Sequence, residues 1–248
     1  MHLRATLAAL VVSFGAAAAA AERPAVKERA EKFTSGDKEI TARVFAPDKP
    51  GKVPVVVLLH GADGLQFETW TKVYAGLARS FAGRGYLVVM PHYFERTGSK
   101  FGDLGTILKN YPAWFGTVKD AVTFAGKLPR ADPDRLAVAG VSLGGTLAID
   151  TAAKDKRVKV LVDFFGGFPD VIAGQVKALP PTLILHGDKD RLVLLKDSEK
   201  LDALLTRLMV EHELKVYPGA GHGFAGDDDK DAMDRAAKFL DRHLPPAK

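Results

Sequence analysis

Asp134-Arg-Leu-Ala-Val-Ala-Gly-Val-Ser-Leu-Gly-Gly-Thr-Leu-Ala148 is the stretch whose reading decides the fold. The apolar run Leu136 to Ala139 reads as a buried strand. Gly140-Val141-Ser142-Leu143-Gly144 follows, and a helical pattern begins at once. A serine at the apex of a sharp strand-to-helix turn gives a G-x-S-x-G match its chemical meaning, because such a turn exposes the hydroxyl. The flanking glycines have a mechanical reason. The turn is strained, and strand and helix pass too closely for side chains. Gly145 adds room for the helix to pack. The plain alternative is a glycine-rich connection with an incidental serine. The rest of the chain must therefore supply an acid, a base and oxyanion donors.

Upstream, Val53-Pro-Val-Val-Val-Leu-Leu59 is a continuous apolar run suited to a central parallel strand. His60-Gly61-Ala62-Asp63-Gly64 leaves it, and apolar residues at helical spacing from Glu68 to Arg84 predict a helix. Tyr86 to Met90 is the next strand, with Pro91 to Arg96 at its carboxyl end. Thr97 to Lys109 reads as a lid-like loop, and Tyr111 to Leu128 as a helix. Nearer the start, Glu22 to Glu31 reads as a loose polar lead-in. Lys38 to Phe45 alternates polar and apolar like an edge strand.

Downstream, Val158 to Phe164 and Pro181 to His186 read as buried strands, with a short helix and loop between Pro169 and Ala178. Leu195 to Leu208 is a helix, Glu213 to Tyr217 the last strand, and Lys230 to Leu244 the final helix. Asp227 to Asp229 cap that helix, where negative charge is favoured. Strands alternating with helices predict an α/β fold, a mostly parallel sheet covered on both faces. No internal repeat or domain boundary interrupts residues 22–248. Sites in such sheets lie beyond the carboxyl ends of the strands.

The 248 residues are 47% hydrophobic and 26% charged, an ordinary globular composition, and no cysteine is present to form a disulfide or bind a metal. The formal net charge is +5, yet no basic run or aromatic-interleaved basic stripe argues for nucleic acid. Met1 to Arg4 is a short positive start, Leu7 to Ala20 is apolar, and Ala19-Ala20-Ala21 is a small-residue cleavage pattern. This predicts a secretory signal peptide cut after Ala21 and a periplasmic or secreted mature protein, with no membrane role beyond export.

A serine hydroxyl needs an imidazole to take its proton, and the imidazole needs a carboxylate to fix its tautomer. Ser142, Asp190 and His222 supply these in the chain order serine, acid, histidine. Asp188 competes for the acid role; Asp190 is preferred, with Asp188 as a turn residue beside Gly187. His222 stands between two glycines before the final helix. His60 and His186 end strands and read as structural, while His212 and His243 read as solvated in polar helical surroundings. The oxyanion donors are expected from the backbone of Leu143 and Ala62. Such chemistry needs no metal or organic cofactor. Phe94, Trp114, Phe165 and Phe168 are candidates for an apolar pocket, with core packing favoured for Trp114.

The four segments His60-Gly61-Ala62-Asp63-Gly64, Gly140-Val-Ser142-Leu-Gly144, His186-Gly187-Asp188-Lys189-Asp190 and Gly221-His222-Gly223-Phe224 resemble the dienelactone hydrolase family of the α/β-hydrolase fold. The resemblance covers essentially the whole mature chain. It implies hydrolysis of a small ester or lactone and adds Arg96 as a candidate ligand for a substrate carboxylate, beside Phe94 and Phe224 in the pocket. The chain departs from the family pattern at two positions. Serine stands where those enzymes usually carry cysteine, and Gly61 stands where they carry a glutamate that meets that cysteine. A serine nucleophile suits more general ester hydrolysis than dienelactone cleavage. The alternatives are a small serine peptidase of the same fold and a non-catalytic binding module.

Overall fold

The computed structural model describes residues 24–246; the proposed signal peptide lies outside them. Eight strands form one sheet in the order β1-β2-β4-β3-β5-β6-β7-β8. They are β1 (Val26–Ser35), β2 (Lys38–Pro47), β3 (Val53–Leu59), β4 (Leu87–Pro91), β5 (Ala131–Val141), β6 (Val158–Phe164), β7 (Thr182–Gly187) and β8 (His212–Tyr217). β1 and β2 pair antiparallel, as do β2 and β4, and every pairing from β4 onward is parallel. The helices are α1 (Glu68–Ala82), α2 (Leu104–Lys127), α3 (Leu143–Lys154), α4 (Asp170–Ala173), α5 (Leu195–Arg207) and α6 (Asp227–His243). This is the α/β-hydrolase fold.

The central strands are apolar on both faces because both faces are covered. Val55, Val57, Leu59 and Val138 face α2, α3 and α5 on one side. Val56, Leu58, Ala137 and Ala139 face α1 and α6 on the other. Each fully buried aliphatic side chain stabilises the fold by roughly 1.5–3 kcal/mol relative to exposure, so β3 and β5 anchor the positions of the loops that leave them.

Three expectations for the first half of the chain fail for identifiable reasons. Glu22 to Glu31 is no loose lead-in over its second part: Val26–Ser35 is a strand paired residue for residue with β2. It is the sheet edge, and its Lys, Glu and Arg side chains face solvent, as edge strands favour. The Lys38 strand is consequently second from the edge, between β1 and β4. The expected lid from Thr97 to Lys109 is helical from Leu104 onward. Asp103 caps that helix by accepting from the Thr106 N–H at 2.7 Å, and α2 runs on through Pro112.

Candidate active site

Three loops at the carboxyl edge of the sheet converge on Ser142. The serine sits between β5 and α3 at φ 55° and ψ −119°, a left-handed conformation that costs a non-glycine residue energy and turns its side chain out of the sheet. Its N–H donates to the Phe164 carbonyl at 2.9 Å, which ties the elbow to the end of β6. A Cβ on Gly140 would collide with the Gly144 carbonyl. One on Gly144 would stand 2.5 Å from the His60 carbonyl oxygen. Both positions require glycine because the first turn of α3 lies directly over the ends of β5 and β3.

The structure brings Ser142, His222 and Asp190 into one hydrogen-bonded chain. Ser142 Oγ lies 2.8 Å from His222 Nε2, and His222 Nδ1 lies 2.7 Å from Asp190 Oδ2. A carboxylate only accepts, so Nδ1 carries the proton and Nε2 accepts from the serine hydroxyl. Asp190 is 5% exposed. Its Oδ1 accepts from the N–H groups of Leu192 and Val193 at 2.9 and 3.0 Å, so the buried carboxylate is held by several donors. Asp188 points elsewhere: its Oδ1 accepts from the Gly219 N–H at 2.6 Å and braces the turn before His222. The phenyl ring of Phe165, itself at φ 44°, meets the His222 ring edge-on at 4.9 Å.

His186 braces the acid from behind. Its Nε2 donates to the Val193 carbonyl at 2.9 Å and its Nδ1 accepts from Ser198 Oγ at 2.6 Å. Nε2 also stands 3.4 Å from Asp190 Oδ2, with both side chains fully buried. His60 is buried too. It stacks on Tyr93 at 4.1 Å and donates from Nδ1 to the Gly61 carbonyl at 2.8 Å. Burial holds its pKa down to about 3. Both histidines are structural, as the sequence predicts. His212 is not the helical residue expected, His243 is helical as expected, and both are largely buried rather than solvated. His212 opens β8, with Nδ1 2.7 Å from the Val210 carbonyl. His243 ends α6 against the Phe239 ring.

Leu143 is the first residue of α3, where a helix leaves its N–H groups without intrahelical partners. Ala62 follows Gly61, and its carbonyl accepts from the Gly102 N–H at 2.7 Å, which fixes the loop. The point where a Gly61 Cβ would stand is 3.4 Å from Ser142 Cβ. The loop after β3 therefore meets the elbow directly.

The expected pocket residues divide. Phe224 packs on Phe165 and lines a cavity of about 320 Å³ between α1 and α6, with Trp70, Tyr74, Leu77, Phe165 and Met233. Phe94 stacks on Trp114 and faces a separate cavity of about 170 Å³ that it shares with His60 and His92. Trp114 and Phe168 are core residues. Arg96 does not reach for a substrate carboxylate: its guanidinium pairs with Asp37 and covers Gly36 at the β1–β2 turn. The short Tyr93–Arg96 turn carries the side chain toward that hairpin. Trp70 and Met233 were missed as pocket residues. Their helical spacing reads as core packing, and only the tertiary arrangement opens a cavity between their helices. Among the described residues, no group of three or more His, Cys, Asp or Glu side chains could hold a metal ion. No helix among them is long and apolar enough to cross a membrane.

Comparison with known proteins agrees with this geometry. A Synechocystis protein provisionally named carboxymethylenebutenolidase is 24% identical over 213 residues, covering 76% of this chain and 82% of its own. The crystal structure of a dienelactone hydrolase-like promiscuous phosphotriesterase, P91, from metagenomic libraries superposes with a TM-score of 0.75 at 18% identity, covering 89% of this chain and 99% of its own. Acylaminoacyl peptidase from Pyrococcus horikoshii shares the fold with a TM-score of 0.73 at 19% identity, over 90% of this chain and 43% of its own. The family model for dienelactone hydrolases matches residues 40–242, which span β2 to α6 and hold all four site segments. The chain therefore belongs to the dienelactone hydrolase family, hydrolases of ester or lactone bonds.

Proposed function

We propose that this chain is a serine hydrolase of small esters or lactones that works through an acyl-enzyme, outside the cytoplasm after loss of the first 21 residues. The observation that carries the reading is the continuous hydrogen-bonded chain from Asp190 through His222 to Ser142. Ser142 Oγ attacks the carbonyl carbon as its proton passes to His222 Nε2. The oxyanion that forms accepts from the N–H groups of Leu143 and Ala62. Asp190 keeps the imidazole in the tautomer that accepts at Nε2 and stabilises its charged form. The carbonyl reforms, the carbon–oxygen bond to the alcohol breaks, and His222 returns the proton to the departing alkoxide. Water then attacks the acyl-serine with His222 as base, and the acid leaves. Binding energy realised only when the oxyanion develops lowers the barrier, and loss of one such donor typically costs 10²–10³-fold in kcat. An oxygen nucleophile in place of the family's usual cysteine supports general ester cleavage.

The test is rapid acid quench of the protein with a short p-nitrophenyl ester, followed by intact mass and peptide mapping. An acyl mass on the peptide that contains Ser142 is expected. Turnover with the acyl group on another residue, or with no acyl-enzyme at any quench time, would contradict the reading. The export proposal is tested separately by the N-terminal sequence of protein recovered outside the cytoplasm, expected to begin at Glu22.

A further inference from the structure

The loop after β3 carries a carboxyl group that the mechanism does not use. Asp63 Oδ1 accepts from the Tyr74 hydroxyl at 2.7 Å, and that hydroxyl accepts from the Gly61 N–H at 3.0 Å. The other oxygen, Oδ2, is buried without a hydrogen-bond partner. Oδ1 lies 2.8 Å from the point where a Gly61 Cβ would stand, and Ser142 Cβ lies 3.4 Å from the same point. The carboxyl group and Ser142 thus border the same space beside Gly61. His222 is near enough that its charge would draw the Asp63 pKa down, although burial outweighs it and raises the value. Tyr74 also lines the cavity between α1 and α6. One fixed hydrogen-bond relay therefore joins Asp63, the oxyanion loop and the cavity wall.

The cavity lining offers little free positive charge. Lys72 is its one lining cation among the described residues, and it pairs with Glu68 at 2.6 Å. Asp229 is the one lining acid among the described residues. The arginine that would neutralise a substrate carboxylate, Arg96, is held by Asp37. The remaining walls are largely aromatic and aliphatic. An anion brought to Ser142 would lose hydration close to the buried Asp63 carboxyl group, and the adjoining cavity offers one lining cation, Lys72, already paired with Glu68, which is unfavourable on each count.

We propose that the site takes uncharged esters with an apolar group seated between α1 and α6, and that Asp63 is the specificity-determining residue that turns away carboxylate-bearing substrates. This rests on the hydrolase reading above and names the substrate class of that same site. Rejection of a wrong partner by an unpaired like charge is an ordinary route to specificity.

The test compares kcat/KM at pH 8 for two matched pairs. Methyl pentanoate stands beside monomethyl glutarate, which puts the carboxylate on the acyl side. Phenyl acetate stands beside 4-carboxyphenyl acetate, which puts it on the alcohol side. The wild-type protein is expected to prefer the neutral member about tenfold or more in each pair. Asp63→Asn is expected to shrink that ratio at least threefold in at least one pair, and the ratio cancels any general loss of activity in the variant. A wild-type ratio near or below one in either pair, or a ratio unmoved by Asp63→Asn in both, overturns the proposal. Ser142→Ala is run in parallel. If it abolishes turnover of the neutral esters, the hydrolase reading stands whatever the ratios. If turnover survives it, or if the wild-type protein cleaves none of the four, that reading and this proposal fall together.

Discussion

Asp163 Oδ1 lies so close under Gly145 that any side chain at 145 would strike it. The carboxyl group is fully buried, accepts from the Gly166 N–H at 3.0 Å, and leaves Oδ2 without a partner. Burial pushes its pKa up to about 7 from 3.8. The unfolded chain releases this proton near pH 4, whereas the folded chain holds it to about pH 7. Stability is therefore lost as pH rises between those values and is level above them. Asp163→Asn keeps the acceptor and removes the titration. We expect it to stabilise the protein at pH 8 by on the order of 3 kcal/mol, with the gain vanishing near pH 4. Denaturant midpoints measured at both pH values check this.

The two aspartates of the loop after β7 have separable tasks. Asp190 holds His222 Nδ1 at 2.7 Å, while Asp188 holds the Gly219 N–H. Asp190→Asn presents an amide that can reverse the imidazole tautomer, and we expect kcat to fall on the order of 10⁴-fold. Asp188→Asn keeps an acceptor for Gly219 and should cost less than about tenfold. Steady-state kinetics of the two variants on one ester decides between them, and the reverse order would move the acid role to Asp188.

His60 should stay neutral through the working range. Burial holds its pKa at about 3 in the folded chain, below the ordinary 6.5 of a free imidazole. Below about pH 6 the unfolded chain takes up a proton that the folded chain refuses, so stability falls as pH drops toward 3, by about 1.4 kcal/mol per unit from this group. The His60 ring signals in an NMR titration should not move between pH 5 and 9.

Gly144→Ala should fail to assemble the elbow. Its Cβ would stand 2.5 Å from the His60 carbonyl oxygen, a backbone atom that cannot move aside without disturbing β3. A loss of more than about 4 kcal/mol is expected, visible as insoluble expression or a collapsed melting temperature. A soluble variant of unchanged melting temperature would contradict the close approach.

Legibility in the sequence followed burial and local chemistry. β3, β6 and β7 announce themselves because both faces are covered, so their residues are mostly apolar. The elbow and the histidine loop were equally visible, since each carries residues that only a strained or close-packed turn demands. β1 was hidden because an exposed edge strand of Lys, Glu and Arg looks like a linker. The start of α2 was hidden because three glycines and few periodic apolar residues between Thr97 and Lys109 read as a loop, although Asp103 is an ordinary cap and Ile107 and Tyr111 continue the buried stripe. Arg96 illustrates what a linear pattern cannot carry. Its partner, Asp37, comes from a hairpin that was itself unread.

The central claim is an activated Ser142, and covalent labelling by a fluorophosphonate reads it most directly. Purified protein and its Ser142→Ala variant are treated in parallel, and intact mass is recorded for each. The account predicts one adduct on the wild-type protein and none on the folded variant. Folded wild-type protein that stays unlabelled, or a variant that labels equally, would contradict it.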